Sequence, residues 1–415
     1  MGTGTFVNER PLNRPRFTGG FDMPLLVALA ILIVFGLVML FSASYDFSGK
    51  VYGDPMYMFN RQLMWLGVGM VIFTILAFSD YHYWRKLVVP AMVVSVILLI
   101  AVLFVEGEGP KRGLFNGSVQ PSELAKLVSV LYLGVWLNAK KQDLQDVSFG
   151  LIPLGVILGF VGGLIGLEPD FSAAVTILIL GGLLFFLAGG DIKQISILLV
   201  VAIIAAVLVS VFTATGRDRM IPFIAGLKNP LDSSDHVRAS LGAIANGGWF
   251  GTGLGLSRSK YLQLPLPPRD SIFAVIAEEL GLVGSIALIA LYGFIFWRGF
   301  VVARRAPDML GTLLASGLVT WIAFEALSNI AVMVGLMPFT GNSLPFVSSG
   351  GSNLVIMLSA FGMVSNISRQ TGEGTITDEE WRSYSAVANL RWGDGRRSVS
   401  RARRTQRADQ SKPRL

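Results

Sequence analysis

The chain has 415 residues, of which 53% are hydrophobic and only 15% charged, with a mean hydropathy of +0.61. Soluble domains carry about 25% charged residues, so a soluble globular fold is excluded as the main architecture. The absence of cysteine excludes disulfides, thiolate catalysis and cysteine-ligated metal centres, and His82 and His236 lie too far apart in sequence to suggest a zinc site.

Apolar runs of roughly 20 residues recur, each long enough to cross a ~30 Å hydrocarbon core. Lipid offers no partner to backbone N–H and C=O groups, so such runs must be helices or closed barrels. These are continuous rather than alternating, which selects helices. Spans are predicted at 23–43, 62–79, 86–105, 121–138, 148–167, 170–188, 193–213, 271–297, 308–336 and 344–367, so the expected fold is an all-α polytopic membrane protein with about ten transmembrane helices. The first run follows Arg10, Arg14 and Arg16 and precedes Ser42-Ala43-Ser44, as a secretory signal would. It exceeds the ~7–15 residues of a signal core and reads as an uncleaved span.

Ten spans place both termini on one side. Arg85 with Lys86, Lys140 with Lys141, Lys193, and Arg298 with Arg304 and Arg305 fall in loops on that side. The opposite short loops carry chiefly Lys50, Arg61, Lys111 and Arg112. Basic residues are retained in the cytoplasm, so both termini are expected there. The expected layout is a cytoplasmic segment 1–21, a membrane domain 22–368 with a large external loop 214–270, and a tail 369–415.

The external loop holds the glycine run Gly247-Gly248-Trp249-Phe250-Gly251-Thr252-Gly253-Leu254-Gly255-Leu256 and then Leu264-Pro265-Leu266-Pro267-Pro268. No strand precedes the glycines, so a dinucleotide site is excluded and tight loop packing is the better reading. The tail is rich in Arg and Lys from Arg391 onward, among Ser, Gln and Ala. It cannot bury enough apolar surface to fold alone and is expected to lie near anionic lipid headgroups. That placement of the basic excess, within a net charge of +7, argues against nucleic acid.

Ionisable groups at the mouths of spans are functional candidates, and four places stand out. Gln120-Pro121-Ser122-Glu123-Leu124-Ala125-Lys126 opens a span. Glu123 and Lys126 share a face; a capped start with an ion pair competes evenly with function. In Glu168-Pro169-Asp170, capping is the simpler explanation. Leu344-Pro345-Phe346-Val347-Ser348-Ser349-Gly350-Gly351-Ser352-Asn353 enters the last span, where glycines and hydroxyls favour an anion such as phosphate or close helix packing. Asp270 precedes Ser271-Ile272-Phe273-Ala274-Val275-Ile276-Ala277-Glu278-Glu279-Leu280-Gly281. It is a candidate general base or a helix cap, while Glu278 and Glu279, about two turns further in, need partners.

Together these segments resemble the SEDS family (shape, elongation, division and sporulation), which includes FtsW, RodA and SpoVE. The resemblance covers residues 20 to 368 and rests on Gln-Pro-Ser-Glu-x-x-Lys at 120–126, the glycine run at 247–256, Phe-Ala-Val-Ile-Ala-Glu-Glu-Leu-Gly at 273–281 and Leu-Pro-Phe-x-Ser-x-Gly-Gly-Ser at 344–352. Asp22, the 38–44 stretch and the basic tail are more similar to FtsW than to RodA. The chain departs from the family at Pro268-Arg269, where His-Thr is common, and at Ser271, where an aromatic often stands. Gly113 after Arg112 and Ser349 before the glycine pair also depart from it.

The resemblance implies a peptidoglycan glycosyltransferase that polymerises lipid II on the outer face of the cytoplasmic membrane, in cell division or elongation. It further implies a class B penicillin-binding protein as partner, other divisome or elongasome membrane proteins beside it, and Asp270 as the catalytic carboxylate. Glu123, Lys126 and Asp170 match functionally sensitive positions. Donor and product linkages are α and β, so the reaction inverts and needs one base, as in inverting glycosidases. On this reading Lys126 meets the pyrophosphate, as Ser348, Gly350, Gly351 and Ser352 would, with magnesium or manganese as a possible aid. No protein-bound metal is expected. A lipid flippase or other transporter is the rival class, yet such proteins bind at the midplane, often between repeats. A non-catalytic division scaffold leaves Asp270 without a purpose.

Overall fold

The computed structural model describes residues 20–104, 120–168, 170–262 and 264–370. The N-terminal arginines, the Lys111–Arg112 pair, Pro169 and the tail beyond Gln370 lie outside the described residues. The chain forms α1 (Met23–Tyr52), α2 (Tyr57–Phe78), α3 (Trp84–Leu103), α4 (Pro121–Lys140), α5 (Ile152–Leu167), α6 (Phe171–Leu187) and α7 (Ile192–Phe212). After these come α8 (Ala214–Lys228), α9 (Asp235–Gly247), α10 (Ser259–Leu262), α11 (Ile272–Arg304), α12 (Met309–Met333) and α13 (Gly351–Arg369). No strand occurs among the described residues. Side-chain caps punctuate the helices: Asp22, Asp170, Asp191 and Asp308 each accept a backbone N–H in the first turn that follows.

Among the described residues eight helices are long and apolar enough to cross a membrane, which makes this a multi-pass membrane protein. Of the ten expected spans, α4, which carries Glu123 and Lys126, and α6, with 17 residues, fall outside that group. The central helices are α12 and α13, whose most apolar windows are 78% buried, whereas that of α7 is 6% buried and lies at the periphery.

Boundaries differ from expectation for local reasons. The first helix runs on to Tyr52 because nothing breaks it before Gly53, which takes a left-handed conformation at φ 74°. The last span starts at Gly351 rather than 344, since Leu344–Ser349 forms a turn in which Phe346 has φ 65°. The largest difference is in α11. It is broken at Gly281 (φ 69°, ψ −166°), a conformation open essentially to glycine alone.

The glycine run within 214–270 repairs that break. Thr252 and Gly253 donate backbone N–H to the carbonyls of Glu278 and Glu279 (2.9 and 3.0 Å), and Leu282 and Val283 donate to those of Gly248 and Trp249 (2.9 and 3.1 Å). A Cβ at Gly247 or Gly251 would collide with the carbonyls of Ala277 or Glu279. The glycines are there so that two backbones can meet and satisfy groups that a broken helix leaves bare.

Two contacts between α1 and α11 set the depth of the break. Arg298 Nε donates to Asp22 (2.8 Å) at one end, and Ser42 Oγ donates to Glu279 (2.7 Å) at the other. From 22 to 42 and from 279 to 298 is about 30 Å at ~1.5 Å per residue, one hydrocarbon thickness. Glu278 and Glu279, two turns into α11, therefore lie about one hydrocarbon thickness from the Asp22–Arg298 pair. Both are paired: Glu279 with Lys260 (3.0 Å) and Ser42, Glu278 with Ser257 and Ser259.

Candidate active site

The four sequence segments converge through a closed set of hydrogen bonds. Asp170, capping α6, accepts from Gln120 Nε2 (3.0 Å) and Ser122 Oγ (2.9 Å), which joins the second segment to the start of α4. Gln120 N–H donates to Ser352 Oγ (3.3 Å), joining the first segment to α13. Ser172, the second residue of α6, donates to Asn342 in the turn before α13 (2.5 Å).

The segment bearing Asp270 is held most firmly. Three successive carbonyls each accept one bond from the α12–α13 region: Pro268 from Ser349 N–H (2.8 Å), Arg269 from Ser348 Oγ (2.7 Å) and Asp270 from Asn329 Nδ2 (3.0 Å). Asn329 spends its other amide proton on Asn342 O (2.6 Å). Asp270 is half-buried and Arg269 exposed. The N-cap position of α11 is Ser271, whose hydroxyl turns back to Pro265 O (2.9 Å), so Asp270 does not hold the capping position. The two non-glycine residues with left-handed backbone among those described, Leu266 (φ 46°) and Phe346 (φ 65°), belong to the two turns that meet here. Strain of this kind persists only where surrounding contacts enforce it.

Lys126 is buried on α4 between two carboxylates, Glu123 (2.9 Å) and Glu325 of α12, with its ammonium 5.6 Å from the Trp321 ring centroid. Trp321 Nε1 also donates to Glu325 (2.7 Å). Glu123 does hold Lys126, as the sequence suggested, but the ammonium is shared with a second acid that the sequence reading missed. The signal was present, since an acid in the middle of the 308–336 run meets the same criterion that singled out Lys126. One ammonium faces two carboxylates, so only its third N–H remains for a substrate.

Helix α12 ties the two centres together. Glu325, which binds Lys126, and Asn329, which binds the Asp270 carbonyl, are four residues apart on it, about 6 Å along the axis. The residues of the third segment are partly committed to structure. Ser348 serves Arg269 and accepts from Leu344 N–H (2.7 Å), and Gly350 N–H donates to Gln62 (3.3 Å). Gly351 is small because a Cβ there would strike the Trp65 indole, which is the packing alternative. Ser352 takes the Gln120 bond. Among the described residues no three His, Asp or Glu side chains converge as a metal cage.

The site is thus a helical membrane bundle with one broken helix, in which α12 links a buried lysine cluster to the tethered backbone of Asp270. The sequence profile of the family described as Cell cycle protein (FtsW, RodA, SpoVE) matches residues 23–373, and the chain belongs to that family. It is 33% identical to the stage V sporulation protein E of Bacillus subtilis over 357 residues, covering 84% of this chain and 97% of that one. It is 36% identical to the probable peptidoglycan glycosyltransferase FtsW of the same organism over 365 residues, 84% of this chain and 90% of that one. A solved chain from a peptidoglycan synthase complex superposes with a TM-score of 0.69 at 26% identity, covering 85% of this chain and 99% of the other. The Thermus thermophilus rod shape determining protein RodA does so with a TM-score of 0.63 at 27% identity, over 85% and 98%.

Proposed function

We propose that this protein is a peptidoglycan glycosyltransferase that polymerises lipid II into β-1,4 glycan strands at the outer face of a bacterial cytoplasmic membrane, with Asp270 as general base. The carboxylate takes the proton of the acceptor 4-hydroxyl. The hydroxyl oxygen then bonds to the donor anomeric carbon from the face opposite the pyrophosphate, and polyprenyl pyrophosphate departs with the electron pair of the broken bond. The observation that carries this reading is the triple tether of the Pro268, Arg269 and Asp270 carbonyls, which holds the backbone that bears a half-buried carboxylate. A base must be held within hydrogen-bond reach of the proton it removes. Lys126 would offer its third N–H to the departing pyrophosphate, and Asp170 would keep α4 and α6 in register around it.

The family relatives' names and the match to a synthase complex favour this activity, and with it a class B penicillin-binding protein as partner. Both termini would be cytoplasmic and residues 214–270 external, which the basic loops support. A transporter is disfavoured because the sequence carries no internal repeat of the kind between which such proteins often bind.

The deciding experiment uses Asp270→Asn, purified and tested on lipid II with and without the transpeptidase. Asn preserves size and polarity but cannot take the proton. Polymerisation is expected to fall by roughly 10²–10⁴-fold with thermal stability unchanged. Near-normal strand synthesis would remove Asp270 from the mechanism.

A further inference from the structure

Beyond the reacting centre, α1 continues past the bilayer edge and borders a cavity of about 240 Å³. Asp46, Phe47 and Lys50 of α1 face Lys260 and Tyr261 of α10 across it, and the turn through Pro265 and Pro267 closes the floor. From Asp22 to Asp46 along α1 is about 36 Å at ~1.5 Å per residue, more than a ~30 Å hydrocarbon core. Measured from Asp22, the cavity therefore lies farther along α1 than one hydrocarbon core reaches.

Its lining excludes several ligands. Asp46 opposes a simple anion, the exposed Lys50 opposes a simple cation, and the charged side chains on α1 oppose an acyl chain. What remains matches a sugar ring carrying an acidic substituent. Phe47 offers an aromatic face to ring C–H groups, and Tyr261 offers its hydroxyl edge. Asp46, hydrogen-bonded to the Tyr261 hydroxyl, accepts from sugar hydroxyls or an acetamido N–H, and the exposed Lys50 suits a carboxylate. The ammonium groups of Lys50 and Lys260 lie 6.0 and 5.3 Å from the Tyr261 ring centroid, which fixes the ring's place in the wall.

The floor is also mechanically continuous with the reacting segment. Ser271 Oγ donates to Pro265 O (2.9 Å) and Arg269 N–H to Leu266 O (3.0 Å), closing a turn that is left-handed at Leu266. Pro267 and Asp270 are three residues apart, so their backbones are separated by at most about 11 Å, a length that one disaccharide covers.

We propose that this cavity is a saccharide subsite, holding an N-acetyl amino sugar of the glycan strand next to the unit that reacts at Asp270. The assignment rests on the reading of Asp270 as the centre of glycan transfer, but it is tested separately. The full-length protein in detergent is titrated with a lipid-free peptidoglycan tetrasaccharide bearing its stem peptides, and binding is read by ligand-observed saturation-transfer NMR. Wild type and Asp270→Asn are expected to bind alike. Tyr261→Ala, truncating an exposed side chain, and Asp46→Asn should each weaken binding, the former by at least about tenfold. In polymerisation assays Tyr261→Ala should shorten the strands several-fold. Absence of binding to wild type, or equal binding by Tyr261→Ala, overturns the subsite. Tyr261-dependent binding without any polymer from lipid II would leave the subsite standing and remove the polymerase reading. Polymer formation without such binding would remove the subsite alone.

Discussion

The Lys126 cluster allows a test that separates stability from chemistry. Lys126→Met removes the one cation from a buried site that keeps Glu123 and Glu325, each within ion-pair distance of the lost ammonium. Breaking a buried pair by deleting one partner costs about 3–5 kcal/mol, mostly because the other charge is left uncompensated. Lys126→Met should therefore unfold at a clearly lower temperature in detergent. Adding Glu325→Gln returns the cluster to the formal charge of the wild type, one negative unit, and keeps a hydrogen-bond acceptor for Trp321. The double variant should recover most of that stability, with a coupling energy of roughly 2–3 kcal/mol in a double-mutant cycle. If the third N–H of Lys126 meets the pyrophosphate, polymerisation stays lost in both variants. Recovery of wild-type turnover by the double variant would refute the catalytic role and leave Lys126 as the pin between α4 and α12. Unchanged melting of the single variant would refute the ion-pair account itself.

Three further outcomes follow from the geometry. Asn329→Ala should leave the Asp270 and Asn342 carbonyls short of a donor, at about 1–3 kcal/mol, and lower kcat more than it changes KM; equal kcat would show that the tether does not position the base. Gly281→Ala forces a side chain into a left-handed position against the Trp249 and Gly251 backbones, so it should destabilise by at least ~1–3 kcal/mol, measured by thermal unfolding. His236 on α9 stacks on Phe339 at 4.1 Å, and burial there pushes its pKa down, with the Asp235 carboxylate opposing in part. An imidazole whose folded pKa is depressed contributes stability that is full above its ordinary value of ~6.5 and is lost as pH falls through the folded value. Protease cleavage within 214–270 of the detergent-purified protein should rise on acidification in wild type and not in His236→Phe.

What the sequence made legible follows from how each feature is encoded. Span positions depend on the length of apolar runs, a one-dimensional property, so eight of the expected spans coincide with helices that can cross a membrane. The overrun of α1 to Tyr52 was missed because a polar end does not stop a helix that lacks a breaker. Gly281 was visible, but a glycine after Glu278-Glu279-Leu280 reads equally as a packing residue. Its meaning appears only when the 247–256 run is laid against it, and that pairing is tertiary. The convergence of Glu123, Lys126, Asp170, Ser348 and Asp270 was anticipated as shared function, not as a shared hydrogen-bond ring. Asn329 could not have been found, since one asparagine near a helix end has many uses and its partner is 59 residues distant.

The placement of these groups explains how a chain so poor in charge can support polar chemistry. Each buried charge described here has a partner on another element: Lys126 joins α4 to α12, Lys260 with Ser42 joins α10 and α1 to α11, and Asp22 with Arg298 closes the opposite edge. Such pairs add little net stability compared with apolar packing, but misregister is penalised heavily because it strands a charge. They therefore fix register more than they strengthen the bundle. The site draws on that. Glu325 and Asn329 sit one turn apart on α12, one of the two most buried helices among those described, so the lysine cluster and the backbone of Asp270 are referred to a single rigid element.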